Sequence, residues 1–299
     1  MDELLVNNFD ASMKDVSGQL SKRSRRIYEH DIKSFADWLL SQGLTPQTLT
    51  RSLMIDYRTY LQEHYKVATA ARMFSVARRI LKEQVDNQQL PVNVAENIRG
   101  FTVANETTHT ALDLDEAREL LRAVDQSTRK GKRDYAILTL LLRTGIRRSE
   151  CANLTMENIK KQQGHTTVSI EHGKGDKRRT IKLPVDVYRV IETYVKETGI
   201  SVAPDAPLFV GFTKGDRPTG RKISDKLIER VVKAYAKEIE IDSLTPHGLR
   251  ASFVTLALEG GAKLQQVQYA AGHADPRTTE RYQKRKLNLD DNAVDYIHL

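Results

Sequence analysis

The sequence predicts a mainly α-helical protein of two domains, the second of which also holds a small antiparallel β-sheet. Apolar residues recur at helical spacing through most of the 299 residues. Two short alternating segments, 166–170 and 179–183, lie on either side of a glycine-containing turn and predict a β-hairpin. A Thr-rich segment without any period, between Gly100 and Leu114, predicts a linker between the two domains.

The first domain is predicted to span residues 1–105 and to consist of helices joined by short loops. Apolar periodicity predicts helices over 21–43, 53–64 and 69–87, and a short fourth helix after Pro91. Ser21 or Ser24 can cap the first of these helices, and Gly43 can end it. No segment of this domain alternates in the manner of a strand.

The second domain, residues 106–299, is predicted to contain the β-hairpin and the remaining helices. The predicted helices cover 113–124, 132–142, 148–154, 185–197, 223–239, 247–258, 263–271 and 276–286. The tip of the hairpin, 173–177, combines glycines with lysines, so we expect a basic turn.

Composition favours a soluble protein with a polyanionic partner. The 47 Lys and Arg residues exceed the 39 Asp and Glu residues, and the net charge of +8 is typical of a nucleic-acid-binding protein. A charged fraction of 29% excludes disorder throughout. The longest apolar stretch, near 136–142, is far shorter than the ~20 residues that span a bilayer, so we expect no membrane partner.

The sequence also favours a cytoplasmic location. The N-terminus has no basic segment leading into an apolar run, so we expect no secretory signal. Cys151 is the single cysteine and cannot form an internal disulfide, which fits a reducing compartment. We expect it to be a small core residue.

Several common chemistries are excluded by missing motifs. The chain has no His-Glu-x-x-His and no paired cysteines, and its eight histidines are scattered, so we expect no metal site. Gly173 and Lys174 are followed by Gly175 where a phosphate-binding loop needs Ser or Thr, and they join two strands. We therefore expect no nucleotide cofactor, and no Gly-x-Ser-x-Gly elbow is present either.

What remains is a set of cationic and proton-transferring side chains at the breaks between elements. Taken singly, each has an ordinary structural explanation, such as a solvated helix face, a polar turn or a packed tyrosine. The set comprises Arg147, Arg148, Lys174, Lys177, His247, Arg250, His273 and Tyr282.

Taken together, the segments that carry these residues resemble the motif series of the tyrosine recombinases, the phage integrase family, in order and in spacing. The segments are 144–150 (TGIRRSE), 173–179 (GKGDKRR), 247–250 (HGLR), 272–273 (GH) and Tyr282. The resemblance covers residues 110–285 and implies an α+β recombinase catalytic domain. The helical first domain is similar to the family's core-binding, SAM-like domain, and a single such domain resembles the Xer-type recombinases most.

The resemblance implies a role for each of these residues. Arg147 and Arg250 would clamp the non-bridging oxygens of one DNA phosphate, because planar guanidinium groups suit that geometry and charge. Tyr282 would attack the phosphorus, forming a 3′-phosphotyrosyl bond and releasing a 5′-hydroxyl. His247 would assist proton transfer, and His273 would donate a hydrogen bond to the phosphate.

Two further assignments concern the leaving group and the support of the site. Lys174 would protonate the leaving 5′-oxygen, with Lys177 as a second candidate for that role and otherwise a DNA-binding residue. Glu150 lies three residues after Arg147 and is interpreted as an acid that orients the site. The resemblance implies no metal and no cofactor, because the cations do what Mg²⁺ does in other phosphoryl transfers.

The implied partner is double-stranded DNA with paired recognition arms, bound by a homo- or hetero-tetramer. Phosphate contacts are expected from Lys22, Arg23, Arg25, Arg26, Arg72, Arg78, Arg79, Lys82 and Lys177. The apolar tail, 287–299, is expected to dock in trans on a neighbouring protomer. A nucleoid-associated location in the cytoplasm follows from these expectations.

Two alternatives stay open at this point. The chain could be a catalytically silent DNA-binding regulator on the same fold, although a protein that only binds DNA has no need for all six of Arg147, Lys174, His247, Arg250, His273 and Tyr282. It could also be a relaxing topoisomerase of the type IB kind, which shares this chemistry. Chromosome-dimer resolution and integration of a mobile element are not distinguished by the sequence.

Overall fold

The structure, a computed structural model, describes residues 9, 12–16, 18, 20, 22–103, 110–171, 178–273, 275 and 277–280. The chain divides into two compact units, Met1–Asn105 and Glu106–Leu299. Lys174, Lys177, Tyr282 and the tail 287–299 lie outside the described residues. No helix in the part of the chain that is described is long and apolar enough to span a bilayer.

The first unit is built on three long helices. They are α1 (Lys22–Ser41), α2 (Arg51–His64) and α3 (Val67–Asp86), with a 3₁₀ turn at Pro46–Thr48. A buried aromatic cluster joins α1 to α2, because the Tyr57 ring lies 4.8 Å from the rings of both Phe35 and Trp38. The three predicted helices are confirmed, and the described residues of this unit contain no strand.

The short helix predicted after Pro91 is wrong, since the chain forms a turn at 94–97. Asn93 explains the difference. Its side-chain oxygen accepts a hydrogen bond from the Ala95 backbone N–H at 3.0 Å, and its amide donates to the Arg78 carbonyl at 3.0 Å. An Asn side chain that bonds nearby backbone in this way competes with helical hydrogen bonding.

The second unit packs helices around a buried central helix, α5. Its helices are α4 (Leu114–Arg122), α5 (Arg129–Thr144), α6 (Arg148–Asn153), α7 (Val185–Thr198), α8 (Asp225–Glu238), α9 (Pro246–Glu259), α10 (Leu264–Ala271) and α11 (Arg277–Glu280). Every residue of α5 from 136 to 142 is buried, and α7 and α9 pack on it. The predicted helices of this unit are confirmed as far as they lie in the described residues.

A three-stranded antiparallel sheet holds the predicted hairpin. Strands β2 (His165–Ile170) and β3 (Arg179–Lys182) pair with Ile170 opposite Arg179, which confirms the hairpin. The first strand, β1 (Ile159–Gln162), pairs with β2 and was not predicted, because only Ile159 among its residues is partly buried. A second, unpredicted ribbon consists of β4 (Val210–Phe212) and β5 (Pro218–Lys222), both too short or too exposed to alternate.

Two glycines end the helices that precede Arg147 and His273, and the chain turns at both of them. Gly145 ends α5 with φ of 62°, and Gly272 ends α10 with φ of 64°. Both values lie in the left-handed region, which glycine adopts without strain. Both turns are also tightly packed, since an added Cβ would lie 2.2 Å from Phe253 Cδ1 at the first and 2.8 Å from Arg179 Cζ at the second.

Candidate active site

Arg147 lies at the start of α6, where Glu150 closes the first turn of the helix onto it. The backbone N–H of Arg147 donates to Glu150 Oε2 at 2.8 Å, and its guanidinium Nη1 donates to Glu150 Oε1 at 2.8 Å. The first contact is the reciprocal half of a capping box. One carboxylate therefore fixes both the backbone and the side chain of Arg147.

A second contact fixes the other side of the Arg147 guanidinium. Its Nη2 donates to the Gly272 carbonyl oxygen at 2.7 Å. The Arg147 side chain is still 26% exposed, so an anion in solvent can reach it. A guanidinium has more N–H donors than these contacts use, which suits it to hold an anion while it is held itself.

Arg250 comes from α9, and its contact leads to the same turn of the chain. It is 4% exposed, and its Nη1 donates to the Gly145 carbonyl oxygen at 2.7 Å. Gly145 ends α5 two residues before Arg147. His247 precedes Arg250 by nearly one turn of α9 and is exposed. The structure thus brings Arg250 to the α5–α6 turn that carries Arg147.

His273 follows Gly272 and is held in a neutral state. Its Nδ1 lies 2.8 Å from the hydroxyl of the buried Thr279, and its backbone N–H donates to the Gln268 carbonyl at 3.1 Å. Burial, and then the positive charges of Arg250, Arg147, His247 and Arg179, lower the pKa of His273 to about 3. Burial and the neighbouring arginines therefore keep the imidazole of His273 neutral.

Arg179 is a residue of this cluster that the sequence analysis missed. Its guanidinium donates to both oxygens of Glu150, with Nη1 at 3.0 Å from Oε1 and Nη2 at 2.7 Å from Oε2. Its Nε donates to the Ala270 carbonyl at 3.0 Å. One signal could have revealed it. Arg179 alternates with the apolar Ile181 along β3, so its side chain points to the buried face of the sheet.

Glu150 is a buried carboxylate that stays ionised. Burial raises the pKa of Glu150, but the hydrogen bonds and charges of Arg179 and Arg147 outweigh burial and leave that pKa below its ordinary value. Thr279 is a second missed residue. It lies six residues after His273 in the sequence, and no periodic pattern predicts their contact.

The other predicted residues lie elsewhere. Arg148 turns away from Arg147 and pairs with Asp225 and Glu229 of α8. Cys151 is buried, which raises the pKa of its thiol and confirms it as a core residue. Within the described residues, no group of three or more His, Cys, Asp or Glu side chains is placed to hold a metal ion.

The predicted DNA-binding residues of the first unit form two groups, one exposed on α1 and one in contact with other residues of the unit. Arg25 and Arg26 are exposed on α1, the helix that also contains Lys22 and Arg23. The others contact their own unit. Arg72 pairs with the buried Asp31, Arg78 donates to the Glu96 carbonyl at 2.8 Å, Arg79 lies over the Tyr28 ring, and Lys82 pairs with Asp86 at 3.0 Å.

The two units match two known protein families. Residues 110–288 match the phage integrase family, and residues 11–88 match the phage integrase N-terminal SAM-like domain. The chain is 31% identical over 283 residues to tyrosine recombinase XerD of Listeria monocytogenes serotype 4b (strain F2365), covering 91% of each chain. It is 29% identical to tyrosine recombinase XerC of Pelobacter propionicus, covering 93% of this chain and 90% of the relative.

Solved structures share the fold. A lambda integrase (residues 75–356) dimer bound to a COC′ core site aligns with a TM-score of 0.73 at 16% identity, covering 97% of this chain and 99% of that chain. XerH site-specific recombinase in a post-cleavage complex with palindromic difH substrate aligns with a TM-score of 0.69 at 19% identity, covering 87% of this chain and 75% of that chain. These matches confirm the predicted fold class, and the chain is an enzyme of the phage integrase family, a tyrosine recombinase.

Proposed function

We propose that this recombinase is site-specific and that it cuts and rejoins DNA strands through a 3′-phosphotyrosyl intermediate. One observation supports this above the rest. Arg147, Arg250 and His273 come from three separate segments and lie close enough for the charges of both arginines to lower the pKa of His273, and the Arg147 guanidinium is partly exposed to solvent. Such a cluster is suited to a phosphate that gains negative charge in its transition state.

In the proposed reaction, Arg147 and Arg250 bind the two non-bridging oxygens of the scissile phosphate. Their charge is permanent, and their positions are preorganised by Glu150 and by the carbonyls of Gly145 and Gly272. Because the donors are already aligned, no reorganisation is needed when the pentacoordinate phosphorus forms. His273 donates a hydrogen bond to the same phosphate from its neutral ring.

Proton transfer accompanies the exchange of one ester bond for another. The Tyr282 oxygen loses its proton with the assistance of His247 and bonds to phosphorus, while the bond from phosphorus to the 5′-oxygen breaks. Lys174 gives that oxygen its proton, and Lys177 is the second candidate for this step. The phosphotyrosyl ester conserves the energy of the broken bond, so rejoining to a new 5′-hydroxyl requires neither ATP nor metal.

The proposed partner is duplex DNA with paired recognition arms, bound by four protomers of one or two kinds. Lambda integrase has been solved as a tetramer bound to a Holliday junction, with a TM-score of 0.70 to this chain. The exposed Arg25 and Arg26 support phosphate contacts from α1, together with Lys22 and Arg23. Arg72, Arg78, Arg79 and Lys82 would have to give up or share the contacts described above. The site of action is the nucleoid.

Removing the tail tests the proposed assembly. We propose that residues 287–299 dock in trans on a neighbouring protomer, because their apolar side chains are stabilised when another surface buries them. The shortened protein should bind a single arm normally but fail to form the tetramer and lose most cleavage. Analytical ultracentrifugation on DNA and a cleavage assay measure both. Unchanged assembly and cleavage would rule out the trans contact.

Tyr282→Phe tests the covalent step. The variant loses only the attacking oxygen, so it should bind duplex DNA with unchanged affinity and form no SDS-resistant adduct. The measurement uses nicked duplexes with a randomised stretch, followed by recovery and sequencing of adducts. The matched control is Tyr188→Phe, which removes a hydroxyl on α7 that donates to Glu192 Oε1 at 3.5 Å.

The outcomes of that experiment separate the functions. Adducts from the wild type and from Tyr188→Phe, with none from Tyr282→Phe, support the proposal. Adducts from Tyr282→Phe would contradict the assignment of the nucleophile. Specific binding without any adduct would favour a silent DNA-binding regulator. Relaxation of a plasmid by the wild type, without recombination between two sites, would favour a topoisomerase.

The protonation state of His273 gives a further prediction. Since its pKa is lowered to about 3, its ring should stay neutral in the DNA-free protein between about pH 5 and about pH 8. The unfolded chain binds this proton near its ordinary pKa of about 6.5, so this group lowers stability as the pH falls below that value. An NMR titration of the ring, assigned with His273→Gln, measures it. A midpoint near 6.5 would contradict the prediction.

A further inference from the structure

Arg179 is a buried cation that the proposed reaction does not use. Its side chain is 5% exposed and makes three contacts from one guanidinium, two to Glu150 and one to the Ala270 carbonyl. A buried charge is costly unless it is paired and hydrogen-bonded, and Arg179 meets both conditions. The role of Arg179 therefore follows from the groups that it holds together, which are Glu150 and the end of α10.

These contacts join β3 to the end of α10. Besides the bond from Arg179 to Ala270, the Thr180 backbone N–H donates to the Tyr269 hydroxyl at 3.3 Å. Gly272 packs flush against the guanidinium, since an added Cβ would lie 2.8 Å from Arg179 Cζ. β3 therefore begins at a fixed position against the segment that leads to His273.

Glu150 lies between two arginines and shares each of its oxygens between them. Oε1 accepts from Arg147 Nη1 at 2.8 Å and from Arg179 Nη1 at 3.0 Å. Oε2 accepts from the Arg147 backbone N–H at 2.8 Å and from Arg179 Nη2 at 2.7 Å. With Arg179 present, the three side chains carry a net positive charge. Without it, Glu150 would neutralise Arg147, and the remaining pair would present no net positive charge to a phosphate.

We propose that Arg179 is a positioning residue for strand cleavage. It orients Glu150 and balances its charge, so that Arg147 is held in place and stays electropositive toward the DNA phosphate. The inference rests on the proposed function, since it assigns Arg147 to the scissile phosphate. Arg179 itself touches no substrate and acts through Glu150.

Two substitutions of Arg179 test the proposal by separating binding from cleavage. Arg179→Met should keep the affinity for duplex DNA within about twofold and lower the single-turnover cleavage rate about 100-fold, the scale expected for a displaced catalytic group. Arg179→Lys should lie between, because an ammonium keeps the charge but loses the bidentate contact. The matched control is Arg133→Met, which removes another buried arginine, paired with Asp134, from the same unit.

A merely structural role would give a different pattern. Arg133→Met is expected to reduce the unfolding temperature while leaving the cleavage rate of the folded protein unchanged. If Arg179→Met lost stability without losing cleavage by the folded fraction, the proposal would be overturned. If Arg179→Met does not fold, the comparison is made with Arg179→Lys.

A double variant tests whether the effect passes through Arg147. In an Arg147→Ala background, adding Arg179→Met should change the remaining cleavage rate by less than about threefold. The effects of two substitutions are not additive when one residue acts through the other. Losses that multiply would contradict a role through Arg147.

A measurement without DNA keeps this inference separate from the proposed function. The ¹⁵N–¹H signal of Arg147 Nε should move or broaden in Arg179→Met and stay in place in Arg133→Met. An unmoved signal would overturn the positioning role. A wild-type protein that forms no adduct would instead refute the proposed function, and the Arg147 signal would still decide the inference.

Discussion

Two arginines share one buried carboxylate, and the geometry of the catalytic unit depends on that sharing. Glu150 receives donors from Arg147 and from Arg179 on both of its oxygens. Alone, a buried carboxylate would take up a proton, and alone, Arg179 would be an uncompensated buried charge. Together with Arg147 they form a cluster of net positive charge, of which Arg147 is the partly exposed member. The cost of burial is offset within the site, and the remaining positive charge faces the solvent.

The same cluster makes use of helix ends. Arg250 donates to the carbonyl of Gly145 at the end of α5, while Arg179 and Arg147 donate to the carbonyls of Ala270 and Gly272 at the end of α10. These carbonyls have no partner within their own helix and carry the partial negative charge of the helix dipole. The left-handed turns at Gly145 and Gly272 then lead the chain directly to Arg147 and His273. Helix geometry thus brings three arginines close enough to His273 for their charges to lower its pKa.

Much of this fold could be predicted from the sequence, and the exceptions have physical causes. The long amphipathic helices and the β2–β3 hairpin are predicted by the period of their apolar residues. β1 and the β4–β5 ribbon are too exposed or too short to show such a period. The turn that replaced a helix after Pro91 depends on the Asn93 side chain. Arg147, Arg250 and His273 were named through a family resemblance, because their proximity is a tertiary property. Arg179 and Thr279 were missed because a charge at a strand start and a Thr in a short helix resemble ordinary surface residues.

Replacing Glu150 by Gln tests most directly whether one shared carboxylate holds the site. The variant keeps the size of the side chain but removes its charge and one acceptor oxygen. Arg147 therefore loses one of its two hydrogen bonds to this side chain. We expect Glu150→Gln to fold, to bind duplex DNA normally and to cleave a nicked duplex about 100-fold more slowly in a single turnover. Glu157→Gln, an exposed glutamate beyond α6, is the matched control. Cleavage by Glu150→Gln at the wild-type rate would contradict the account.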